Sequence, residues 1–142
     1  MKGFTLVELV IIILLVGIIA MIVGPKVSIG DFKEETEKNS FIANIRYAQH
    51  KSMVVGGGWR VELGSKSYTI KDEEGKVVNL PGGENPVNTS VGISSNYTQF
   101  YFDYLGRPDN DNDSKNDNLI NDNITITFGN GKVMINPAGG VE

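Results

Sequence analysis

Residues 4–23 read FTLVELVIIILLVGIIAMIV, twenty residues in which the only ionisable side chain is Glu8. About 20 apolar residues at about 1.5 Å rise give roughly 30 Å of helix, the span of a bilayer core. A carboxylate deep in lipid costs roughly 2.5 to 3.5 kcal/mol, so a lone acid near the start of a clean apolar run calls for a partner. The partner expected here is another chain. Only Met1, Lys2 and Gly3 precede the run, and no small-residue cleavage site follows it, unlike a secretory signal. A plain signal anchor is the bland alternative. Lys2 on the short side agrees with an N-terminus inside and a domain outside.

Working outward, Gly24, Pro25 and Gly30 mark a bend or local melting of the helix. From Asp31 the text DFKEETEKNSFIANIRYAQHKSMVV is free of Gly and Pro for 25 residues. Phe41, Ile45, Ala48 and Ser52, flanked by Ile42 and Met53, form a stripe of period 3.6 that predicts docking on a sheet. Gly56, Gly57 and Gly58 end the helix. Fully helical from Phe4 to Val55, the rod would reach roughly 75 to 80 Å.

Past the three glycines the period becomes 2. Trp59, Val61 and Leu63 alternate with Arg60 and Glu62, and SYTIKDEEGKVVNL predicts two short strands about a turn at Asp72 to Gly75. LPGGENPVNTS, from Leu80 to Ser90, is a loop of turn formers. Phe100 and Phe102 lie on another strand. ITITFGNGKVMI is the clearest hairpin, with Asn130-Gly131 as a type I′ turn between Ile124 to Phe128 and Lys132 to Ile135. The expected fold is α+β: a long N-terminal α-helix, membrane-spanning in its first half and amphipathic in its second, packed on a small antiparallel sheet.

KGFTLVELV resembles the N-terminus of type IV pilin-like proteins, the type IV pilins and type II secretion pseudopilins. The resemblance implies cleavage by a prepilin peptidase between Gly3 and Phe4, methylation of Phe4, an assembly role for Glu8 and a helix kink at Pro25. In a bundle of such helices Glu8 would neutralise the α-ammonium of a neighbour's Phe4, so that each buried charge has an opposite one beside it. IANIRYAQHKSM with the glycine turn and WRVEL, then FDYLGRP and ITITFGNGKVMINPAGGV, are similar to the GspH/FimT group of minor pseudopilins and minor pilins. Ala48-Gln49 departs from that group, which usually has Ala-Arg there.

What the resemblance implies is a pilin-like organisation: residues 1–3 a leader, 4–23 a transmembrane and assembly helix, 24–55 its continuation on the sheet, and 56–142 an antiparallel β domain. It implies a membrane-anchored structural role rather than an enzyme: a minor subunit that initiates or tips a type II secretion pseudopilus or type IV pilus. The expected location is the bacterial inner membrane, single-pass, with the C-terminal domain in the periplasm. Expected partners are other pilin or pseudopilin subunits, the prepilin peptidase and an inner-membrane assembly platform. A major pilin with a calcium-binding surface loop and a DNA-uptake minor pilin are the alternatives.

Within the acidic loop 107–123, Asp109, Asp111, Asp113 and Asp117 stand at spacing D-x-D-x-D-x-x-x-D, oxygen ligands suited to hard Ca²⁺. Ser114 replaces the usual glycine and Ile120 stands where an EF-hand has glutamate. A solvated turn of Asn and Asp is the competing reading. No organic cofactor is expected. A net charge of −4 offers no long-range attraction for nucleic acid, and the chain has no cysteine to staple its core. His50, the only histidine, reads as a packed or surface residue. No catalytic constellation or phosphate-binding glycine motif is present in the sequence.

Overall fold

The computed structural model describes residues 3–23, 29–111 and 118–142, and the side chains of these other than 21–23 and 29–31. Helix α1, Leu6–Val23, has 18 residues and α2, Ile29–Val55, has 27. Eight strands follow: β1 Trp59–Leu63, β2 Ser67–Lys71, β3 Val87–Asn88, β4 Ile93–Ser95, β5 Gln99–Phe102, β6 Pro108–Asp109, β7 Ile124–Phe128 and β8 Gly131–Ile135. They pair antiparallel in two sheets, ordered β3-β2-β1-β5-β6 and β4-β7-β8.

Two expectations are corrected here. In place of one long helix on one small sheet, the described chain has two separate helices and two sheets, with strands as the dominant framework. Among the described residues no helix is long and apolar enough to cross a membrane, which overturns the expected single-pass inner-membrane anchor. The physical reason is length and polarity. The described apolar helix α1 has 18 residues, about 27 Å of rise, at the lower end of what a span requires, while α2 carries Lys33, Glu34, Glu35, Glu37 and Lys38 in its first half.

The core forms where α2 meets both sheets. Phe41, Ile45, Ala48 and Ser52 are fully buried, as the 3.6-residue stripe predicts. Phe41 is the joint between layers: its ring lies edge-on to Tyr68 of β2 at 4.9 Å and tilted against Phe128 of β7 at 4.8 Å. One side chain therefore touches helix, five-stranded sheet and three-stranded sheet. Away from the helix the sheets are linked through the backbone, with Ile93 N–H donating to the Ser65 carbonyl at 2.8 Å.

Polar contacts fix the rest of α2. Near its end, Ser52 Oγ donates to the Phe102 carbonyl at 2.6 Å, and the Gln49 amide donates to the carbonyls of Gly106 at 3.0 Å and Gly139 at 2.7 Å. A neutral amide suits a buried position facing two carbonyls, where a charge would be costly to desolvate. The helix stops as expected, because Gly56, Gly57 and Gly58 all take positive φ and the first two donate to the Ser52 carbonyl. At the other end, carboxylates hold the helix to turns of the sheets. Glu34 accepts the N–H groups of Asn130 and Gly131, and Glu37 accepts Ser90 N–H, Ser90 Oγ–H and Val91 N–H.

Three local expectations change in detail. After the turn at Asp72 the chain makes only a single bridge, Lys71 to Val77, rather than a second strand. Asn85 takes its place: the side-chain oxygen accepts Ile70 N–H, and the amide donates to the carbonyls of Ile70 and Val78. The β7–β8 hairpin turns one residue early, since Phe128 pairs with Gly131. Gly129, at φ 57°, is its positive-φ residue while Asn130 is not, which makes the turn type II′ rather than I′. A Cβ on Gly129 would lie 2.6 Å from Glu34 Oε2, so helix and hairpin dictate the register together. β3, β4 and β6, of two or three residues each, have no counterpart among the strands expected from the sequence.

Phe41→Ala should destabilise the domain by about 3–5 kcal/mol, a large share of a typical total. The check is a shift in denaturant midpoint that is the same for probes of either sheet. Glu37 supplies a pH test. Its partial burial works to raise the carboxyl, but the hydrogen bonds from Ser90 and Val91, aided by Lys33, outweigh burial and hold it below the ordinary 4.5. Its contribution is therefore complete above that value and is lost as pH falls through the lower, folded value. Glu37→Gln should be less stable than the parent at pH 7, and the gap measured by denaturant melts should shrink progressively as pH falls below the ordinary carboxylate value.

Candidate functional site

The run from Thr5 to Ala20 is rich in Ile and Val, which carry no special preference for helix. Its first turn is nevertheless well closed. Glu8 N–H donates to Thr5 Oγ1 at 3.3 Å, and Thr5 N–H donates back to Glu8 Oε2 at 3.4 Å. This is a capping box, with Thr5 as N-cap and Glu8 at the third helical position. The carboxylate also sits where the helix dipole favours negative charge. Thr5 is absent from the residues singled out by sequence, although T-x-x-E before an apolar run is the signal that would find it.

Gly3, Phe4 and Glu8, assigned by sequence to processing and assembly, come together here. With Thr5 they line a shallow cleft of about 330 Å³ at the start of α1. Every described side chain from Phe4 to Ala20 is exposed, Leu6 to 80% and Ile13 to 64%. Leu, Ile and Val occupy all sides of the helix, so no polar face is left to turn toward water. Pro25, assigned to a kink, lies outside the described residues.

The acidic turn is built differently from an exposed loop. Pro108 and Asp109 form β6 on the edge of β5, where Asp109 pairs with Tyr101 and is fully buried. Its Oδ1 accepts the N–H of Asn110 at 2.7 Å and of Asp111 at 3.3 Å. Its Oδ2 is buried without a donor among the described residues. Burial, with the charges of Asp111 and Asp103 adding to it and the backbone hydrogen bonds opposing it, pushes the Asp109 carboxyl above the usual range. Asp111 accepts from the Asn118 amide. A bridge between Asp109 and Leu119 closes the base of the loop. Asp113 and Asp117 lie outside the described residues.

Asp103, in the turn after β5, is a structural anchor. It is fully buried, accepts Leu105 and Arg107 N–H through Oδ1, and takes the Arg107 guanidinium at 2.9 and 2.8 Å through Oδ2. His50 is exposed on α2. No protein-family model, curated protein or solved structure matches this chain.

Proposed function

We propose that this chain is a structural subunit of a helical filament of the type IV pilus or type II secretion pseudopilus kind, a minor subunit that initiates or tips the assembly. The observation that carries this reading is α1, apolar on all sides and exposed along its described length. Each large side chain left in water forgoes about 1.5–3 kcal/mol of burial, and an apolar surface of this extent marks an interaction site. The occupant we assign is the same helix of neighbouring subunits, identical or related. Head-to-tail contacts of that type give open filaments when the rotation does not close.

The first residues support the same reading. Cleavage by a prepilin peptidase between Gly3 and Phe4 would create an ammonium one residue before the capping Thr5. Glu8 would then do two things: cap its own helix, and neutralise the Phe4 ammonium of the adjacent subunit in the bundle. The pairing is required because an uncompensated charge in a packed apolar bundle is strongly destabilising.

The two roles of Glu8 are separable. Glu8→Gln keeps a side chain able to complete the capping box but removes the charge. It should leave α1 helical and processed while weakening incorporation by roughly 3–5 kcal/mol, the cost of stranding the neighbouring ammonium. Thr5→Ala, which keeps the charge, should cost about 0.5–2 kcal/mol of helix stability and still assemble. The chain has no native cysteine, so a single cysteine at Ile13 reports α1 contacts by cross-linking in assembled material. Cross-links between subunits that Glu8→Gln abolishes are the expected result. Normal cross-linking of Glu8→Gln, or a parent that forms none beside its partner subunits, would refute the reading.

A further inference from the structure

We propose that the end of β6 holds a hard divalent cation of the Ca²⁺ class, with Asp109 as its buried inner ligand and Asp111, just beyond the strand, as the next. This goes beyond the filament reading and does not depend on it. The acidic spacing alone is equally that of a solvated turn. What separates the two is the placement of Asp109. It is fully enclosed at the sheet edge, and one carboxylate oxygen is satisfied by two backbone N–H groups while the other is buried with no donor among the described residues. A solvated turn has no reason to bury an acid in this state, because an unpaired polar oxygen inside a protein is costly.

The obvious protein cation is committed elsewhere. Arg107 points its guanidinium at Asp103, 2.9 and 2.8 Å from Oδ2, and Asp103 in turn is saturated by the backbone of its own turn. The Asp109 carboxylate folds back over Asn110 and Asp111, whose N–H groups it accepts, so the open oxygen sits at the root of the loop that carries Asp111. That loop is tied at its base: Asn110 N–H and its side-chain amide both donate to the Asn118 carbonyl at 3.1 Å, and Ile120 N–H donates to the Pro108 carbonyl at 3.0 Å. The donors on offer are carboxylate, amide and carbonyl oxygens, with no thiol or imidazole among them. Such a set selects Ca²⁺ over zinc or copper, with carbonyls and water filling the remaining positions.

The test uses the full chain in mild detergent, stripped with EDTA and titrated with Ca²⁺ by calorimetry and thermal melting. One site with Kd in the range of about 10⁻⁴–10⁻³ M and a Tm rise of about 5 °C or more at about 10 mM Ca²⁺ are expected. Asp109→Asn should lose that rise while melting in EDTA at or above the parent's temperature, since the amide replaces a buried charge. Asp111→Asn should weaken binding at least tenfold. Absence of heat and Tm shift, an unchanged response in Asp109→Asn, or an equal response to Mg²⁺ would overturn the assignment. If Asp109→Asn does not fold, unchanged affinity in Asp111→Asn overturns it. Filament assembly is read separately, so failure of the site and failure of the filament reading give different results.

Discussion

The ring of Phe41 carries the architecture. It sits between Tyr68 and Phe128, so the helix is the wedge against which two sheets of different strand number settle into one core. Ile45, Ala48 and Ser52 extend the same stripe, with Ser52 converting from apolar contact to a hydrogen bond on Phe102. Everything on the far side of the domain inherits its position from this line. β5 is held by Ser52, the turn after β5 by Gln49 through Gly106, and that turn delivers the chain to β6 and Asp109.

Two chemistries are thus kept apart by the helix. The C-terminal half of α2 packs by apolar burial and by hydrogen bonds to backbone carbonyls. The N-terminal half is held by charged groups, Glu34 on the β7–β8 turn and Glu37 on Ser90 and Val91. Acid therefore loosens the Glu37 contacts and leaves the Phe41 joint to be broken by loss of packing. The apolar α1, in contrast, draws its only described side-chain hydrogen bonds from the Thr5–Glu8 cap.

Periodicity made α2 readable: a 3.6-residue stripe and three glycines are strong signals, and the residues they single out are the buried ones. The same reasoning overextended the N-terminal rod, because hydropathy along 4–23 says nothing about where the helix starts; the Thr5 cap sets α1 to begin at Leu6. Hairpin β7–β8 was legible as an element but not to the residue, since Glu34, far away in sequence, fixes the turn. β3 and β6 were illegible for a simple reason. Two residues cannot show an alternation, and their pairing is set by Tyr68 and Tyr101 on longer strands. Asp109 and Asp111 could be picked out by spacing, whereas the burial of Asp109 depends on β5, which spacing does not encode.

The side chain of Asn85 has a wider meaning. By occupying the N–H and carbonyl of Ile70 it denies that stretch of β2 to any foreign strand, and the outermost strands of the larger sheet, β3 and β6, are each too short to template one. On the smaller sheet the chain end does the same, with Glu142 exchanging both backbone hydrogen bonds with Met134. Edges covered in this way leave little of the β framework free to template strands of other copies.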